Sequence, residues 1–378
     1  MEQWVISVNK QASEGLIVSP FYLWFLIHST QTGVSMLNFP SKVILGAEQD
    51  AWVSLLVAGL SVHLIIWMIF FVLKNSNKGD IISLHQQLFG KWFGNALTLG
   101  FYGYTILFVC NEIRSYIEVL HIWVFPMSHP WELSLIVLLT SVYIVSGGFR
   151  VITGICFWCV VIPSILLVSL YFPLKYAHWN NLLPLLNHNL DEYTVSAHQS
   201  LSLYQGVEFL LLYYPFIKNN EKSQKWAHIA AAHTTILYLI FAFVIFAYFN
   251  IQQLKHTIWP TLILSKVIQL PFLERFDYMF VFNWFLIILP PICIGLWGGT
   301  RILRKTVGLK ARPALWITSS IVFIIIVFLR EPTTIERLDS LLSGAGFIFL
   351  YAYIPMLVIW ISFIRFFRKV RPIGGNLK

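Results

Sequence analysis

Glu208 is the residue whose type and surroundings most invite a chemical reading. It stands in an apolar run, residues 201–217, and a carboxylate at the centre of a membrane helix costs about 2.5–3.5 kcal/mol on insertion scales. Such a group must face a cavity or a partner. Its functional reading is contact with a ligand amine or a proton site; its plain reading is a carboxyl bonded to a helix end. Just before it, Tyr204, Gln205 and Gly206 interrupt the run. A matching interruption lies in the first apolar run, where Thr30, Gln31, Thr32, Gly33, Val34 and Ser35 crowd the expected bilayer midplane. Thr30 and Thr32 are β-branched, and Gly33 weakens a helix by roughly 1 kcal/mol relative to Ala. Lipid offers nothing to an unpaired amide, so a helix opens at that depth only where protein or a polar cavity takes over its bonds. The two stretches therefore read as broken helices lining a solute site. The plainer alternative is a kinked span whose small residues pack on a neighbour.

The chemistry of such breaks is recognition. A half-helix beginning near Val34 exposes amides and a positive dipole end, which suit a carboxylate. A half-helix ending near Tyr204 exposes carbonyls, which suit an ammonium group. Two opposed ends of this kind recognise an amino acid by its backbone.

Other candidates read as structural. Arg114 and Glu118 are spaced i, i+4 and can pair along a helix face, while Glu112 is placed to cap a neighbouring element. His28 precedes the first break and reads as a satisfied packing residue. Cys156-Phe-Trp-Cys159 has no second cysteine pair, and the scattered histidines show no structural-zinc pattern. No His-Glu-x-x-His, phosphate-binding Gly-rich loop or Gly-x-Ser-x-Gly is present. The reading contains no enzyme, no catalytic residue, no cofactor and no metal.

The elements that must position these residues are membrane spans. Hydrophobic residues make up 57% of the 378 and charged residues 11%, and mean hydropathy is +0.71. A soluble chain carries about 25% charged residues, so this is an all-α polytopic membrane protein in contact with lipid. Its net charge of +9 is read by position and not as a nucleic-acid signal. Runs long enough to span recur near 17–39, 51–73, 93–117, 132–149, 151–172, 201–217, 226–249, 277–299, 313–329 and 341–364, each about 17–25 residues as a bilayer requires. With the N-terminus inside, inner segments collect eighteen Lys and Arg residues and outer segments seven, which places both termini in the cytoplasm. The apolar–polar pattern of residues 81–92 predicts an interfacial helix. Residues 173–200 and 250–277 form long outer connections, the second with a surface-lying or re-entrant piece.

Five spans per half is an odd number, so a second half would be inverted relative to the first. Both interruptions fall in the first span of their half, and paired interruptions mark the binding site of inverted-repeat transporters. The expectation is one membrane domain, 1–378, with half-repeats at about 17–172 and 201–364, broken helices 1 and 6, and tails 1–16 and 365–378.

The motifs ISVNK…IVSPFYLWFLI, TGVSMLNFPS, GDIISLHQQLFGKWFGNAL, FPMSHPWE, NNLLPLLNHNL, GVEFLLLYYPFIKN and WPTLILSKVIQLPFLERFDYMFVFNW follow one another in order. Through them the chain resembles the membrane-embedded B subunits of the germinant receptors of endospore-forming bacteria, a branch of the amino acid–polyamine–organocation transporter superfamily. The resemblance implies a ten-helix fold and a nutrient ligand, commonly an amino acid. It also implies assembly with an A-type subunit and a lipoprotein C-type subunit in the spore inner membrane. Gly33-Val34-Ser35 stands where Gly-x-Gly is expected, and Phe39-Pro40 where Leu-Pro is expected. His129-Pro130 replaces Thr-Pro, and Arg150 replaces a common acidic residue. Span eight, Tyr278 to Gly299, holds no Ser or Thr, which argues against the sodium site that superfamily members build between spans one and eight. Span five has no Lys to stand in for that ion. The function expected is a nutrient-sensing subunit that passes a conformational change to its partners. The alternative is a stand-alone amino acid transporter, with or without proton coupling; a structural scaffold would leave the paired breaks unexplained.

Overall fold

The computed structural model describes residues 17–268, 274–329 and 331–370; most of the two tails and part of the expected re-entrant piece lie outside them. The chain opens with helix α1 (Tyr22–Gln31) and, after Thr32-Gly33-Val34, α2 (Ser35–Val43). Next come α3 (Ala51–Lys74) and α4 (Ile81–Trp123). Asp80 starts α4 by accepting the Ser83 amide at 2.9 Å. Gly90, at φ 76° and ψ 172°, separates the stretch read as an interfacial helix from the long remainder. Trp92 beyond it is 91% exposed.

Pro130 opens α5 (Pro130–Ser146), since its missing N–H is one the first turn leaves unused, and α6 (Phe149–Ser164) follows. The first long connection carries the short α7 (Tyr171–Leu174) and then α8 (Leu190–Ser202). Residues 190–200, expected within an outer connection, instead form a helix begun by an Asn189–Glu192 capping box. This polar helix reaches the Tyr204-Gln205-Gly206 interruption from its N-terminal side. Hydropathy missed it because its mixed surface packs on α2 and α3. Beyond the interruption come a 3-10 turn, Val207–Phe209, the short α9 (Leu210–Tyr213) and a second 3-10 turn, Tyr214–Phe216.

The remainder is α10 (Gln224–Tyr248), α11 (Ile251–Lys255), α12 (Pro260–Ser265), α13 (Phe276–Thr306), α14 (Ala311–Phe328), α15 (Pro332–Ile348) and α16 (Ile354–Val370). A π-helical turn, Phe349–Tyr353, joins the last two. Seven helical stretches among the described residues are long and apolar enough to cross a membrane, and Pro130–Ser146 and Val207–Phe216 are shorter apolar helices. The chain is an all-helical, multi-pass membrane protein.

Packing places α3 on α10, α4 on α13, and α5 on α14, with α1 lying against α10, α6 and α13. The start of the first run and the end of the sixth are tied directly. Val18 donates to the Phe216 carbonyl at 2.9 Å and accepts from the Lys218 amide at 2.8 Å. At one end of the bundle Asp50 accepts from the Asn187 amide at 3.2 Å and lies 3.1 Å from His188 Nδ1, holding the long connection onto the start of α3. At another point Arg301 and Asp80 form a 2.6 Å ion pair, with the guanidinium 4.7 Å from the Phe216 ring centroid. Cys110, Cys156, Cys159 and Cys293 are free and buried.

Candidate functional site

The first interruption is a three-residue gap between α1 and α2. One hydroxyl before it and one within it turn back on α1. Thr30 Oγ1 donates to the Ile27 carbonyl at 2.9 Å and Thr32 Oγ1 to the His28 carbonyl at 3.0 Å, a local bonding pattern that competes with the helix ladder. The Val34 amide, freed by the gap, donates to Glu112 Oε2 of α4 at 2.9 Å. The Glu112 carboxylate lies so close to Gly33 that a Cβ there would overlap it. The anion position expected for a ligand carboxylate is thus taken by a side chain of the protein.

The second interruption is built in the same way. Gly206 adopts φ 105°, a left-handed conformation that glycine takes without steric cost. Its amide donates to both oxygens of Glu208, at 2.9 and 2.8 Å, and Tyr104 Oη donates to Glu208 Oε1 at 2.5 Å. Glu208 is fully buried, bonded to a helix start and a phenol. The carbonyl of Tyr204, expected to meet an ammonium group, accepts from Gln31 Nε2 at 3.2 Å. The Tyr204 hydroxyl reaches Thr235 Oγ1 at 3.0 Å.

The two interruptions touch. Besides the Gln31–Tyr204 bond, a Cβ on Gly206 would sit 2.7 Å from both the Cβ and the carbonyl oxygen of Thr30. Beside this contact lies a polar cavity of about 30 Å³ walled by Thr30, Gln31, Gly33, Ser35 and Gln205. Val34, Tyr204, Gly206 and Glu208 are not on its wall, and Thr32 lines a second, more apolar cavity with His28 and His233. His28 is buried and its Nδ1 lies 2.8 Å from Thr234 Oγ1, a satisfied packing role.

The polar cavity also recruits residues that sequence reasoning left out: Asn38 and Lys42 on α2, Asn111 beside Glu112 on α4, and Asp339 on α15. Lys42 Nζ and Asp339 Oδ2 pair at 2.5 Å. Ionisable groups inside apolar runs were legible signals, and Glu112 was one. Asn38 and Asn111 carry no charge and gave no such warning. Arg114, read as a partner of Glu118, donates through Nε to the Leu329 carbonyl at 2.6 Å.

Seven stretches long and apolar enough to span among the described residues, two interrupted segments in contact and a polar cavity beside them fit a permease-like membrane protein. Comparison with known proteins gives the family: the model of the spore germination protein family matches residues 17–335, and the chain belongs to that family of non-enzymatic, permease-like proteins. It is 40% identical over 340 residues to spore germination protein GerQB of Bacillus cereus, covering 90% of this chain and 94% of that one. It is 22% identical over 302 residues to spore germination protein A2 of Bacillus subtilis (strain 168), covering 79% and 83%. To spore germination protein GerLB of Bacillus cereus it is 25% identical over 295 residues, covering 70% and 72%.

Proposed function

We propose that this protein is the nutrient-sensing B-type subunit of a spore germinant receptor, binding a small solute where its two interrupted segments meet. The reading takes the chain as one domain of ten spans in a 5+5 inverted repeat, the interrupted ones being the first and sixth. Packing of α3 on α10, α4 on α13 and α5 on α14 supports the repeat, because each pair holds the same ordinal place in the two halves. The site residues remain Thr30, Gln31, Thr32, Gly33, Val34, Ser35, Tyr204, Gln205, Gly206 and Glu208. The presence of Thr30, Gln31, Gly33, Ser35 and Gln205 on the wall of the polar cavity supports that assignment for those five.

The observation that carries the reading is the direct contact of the interruptions, Gln31 with Tyr204 and Thr30 with Gly206, beside a polar cavity. Its small volume accommodates water, so a solute the size of an amino acid enters by parting the two interruptions. A ligand that binds the parted form better shifts the equilibrium toward it, and that shift is what A-type and lipoprotein C-type partners would receive. Basic-residue placement supports cytoplasmic termini and the family supports a spore inner membrane. The names of the relatives support the role in germination.

The second reading is a stand-alone amino acid transporter, favoured by the permease-like fold. Purified protein in liposomes, offered radiolabelled L-amino acids, separates the two. Binding without flux, dependent on a co-purified partner, supports the sensor. Flux by the chain alone overturns it.

A further inference from the structure

We propose that the polar cavity receives the ammonium end of its solute, held by the side-chain amide oxygens of Gln31 and Asn111. This rests on the reading of the cavity as the solute site and says which end of the solute it takes.

Gln31 Oε1, Asn38 Oδ1 and Asn111 Oδ1 are buried, lie on residues of the same wall, and have no hydrogen-bond partner among the described residues. A buried acceptor left unpaired costs about 1–3 kcal/mol, so three at one wall call for a donor-rich guest. The orientation of two of them is set by their neighbours. Gln31 Nε2 donates to the Tyr204 carbonyl at 3.2 Å, and Asn111 Nδ2 lies 3.4 Å from Asp339 Oδ1. Turning either amide over would set its oxygen against another acceptor. The carboxyls of Glu112 and Asp339 flank the same space.

Three groups that could donate to a carboxylate each have an acidic partner. The Val34 amide goes to Glu112 and the Gly206 amide to Glu208, while Lys42 pairs with Asp339. An ammonium group carries N–H donors and no acceptor, which suits a wall whose residues hold unpaired amide oxygens. The polarity is therefore the reverse of a carboxylate seated on the first interruption.

The test uses the full chain co-purified with its partner subunits and reads thermal stabilisation. The probes are the twenty L-amino acids, each compared with the amine lacking its carboxylate and the acid lacking its amine; for alanine these are ethylamine and propionate. Amines should compete with the amino acid that binds, and the acids should not. Asn111→Leu should weaken that binding at least about tenfold, equivalent to about 1.4 kcal/mol, without lowering the melting point of the unliganded protein to that of an unfolded control. Competition by acids and not amines overturns the inference, as does stabilisation by potassium chloride equal to that by the amines. Wild-type affinity in Asn111→Leu also overturns it. If Gly33→Leu abolishes binding while acids compete, the ammonium assignment fails and the solute site stands. If no probe stabilises the protein, the site reading falls and the inference falls with it.

Discussion

Val34 gives its amide to the carboxylate of Glu112, 78 positions along the chain, at 2.9 Å. That bond closes the first interruption from inside the protein, and Glu208 closes the second on the amide of Gly206. Each interruption between helices thus carries its own acid. A buried amide left unpaired costs about 1–3 kcal/mol, and a buried carboxylate is tolerable only when bonded. Each solves the other's problem.

Gly33→Leu should abolish solute binding while the protein still inserts. Its side chain would need the space held by the Glu112 carboxylate and would push it from the Val34 amide. Removing that bond should lower stability by about 1–3 kcal/mol. Ligand-dependent melting, set beside protease protection in membranes, reads both effects. Unchanged affinity would count against the site.

Glu208→Gln puts an amide where a carboxylate accepts from Gly206 and Tyr104. Only one of its two terminal atoms can accept, so a loss of about 1–3 kcal/mol in stability is expected, with weaker binding or loss of its pH dependence. Tyr104→Phe should show part of the stability loss. Denaturation in detergent and binding across pH measure the two; a wild-type response in both would return Glu208 to a dispensable role.

Gly206→Ala meets two penalties, the positive φ of 105° and a Cβ 2.7 Å from Thr30. The left-handed conformation alone costs an L-residue roughly 1–2 kcal/mol. Gly103→Ala, in α4 with nothing beyond its own helix backbone and chain neighbours within 4 Å of the new Cβ, is the control and should be neutral or slightly stabilising. Equal melting points for the two variants would show that the interruptions are not pressed together.

Arg301→Ala would strand Asp80, whose side chain is 4% exposed in the 2.6 Å pair. Breaking a buried pair from one side costs about 3–5 kcal/mol. Arg301→Met with Asp80→Ser should cost less, because no charge is left alone and Ser can still cap α4. A double-variant loss equal to the sum of the losses in Arg301→Met and Asp80→Ser alone would show that the pair contributes no coupling.

Much of this molecule is decided by local chemistry, and for that reason was legible in one dimension. Apolar runs announce spans because each residue's transfer to lipid depends on its own side chain. Gly33 and Gly206 announce interruptions because helix propensity is local, and the buried carboxyls of Glu112 and Glu208 announce partners. The helix at Leu190–Ser202 escaped because its polar surface reads as a loop to hydropathy, although its Asn189–Glu192 capping box was visible. Only the tertiary structure decided which groups meet. Gln31 donates its side-chain amide N–H to the Tyr204 carbonyl, and Asn38, Asn111 and Asp339 arrive at one wall from three helices. Hydrogen bonds between residues so far apart depend on how helices pack, and no spacing along the chain encodes that.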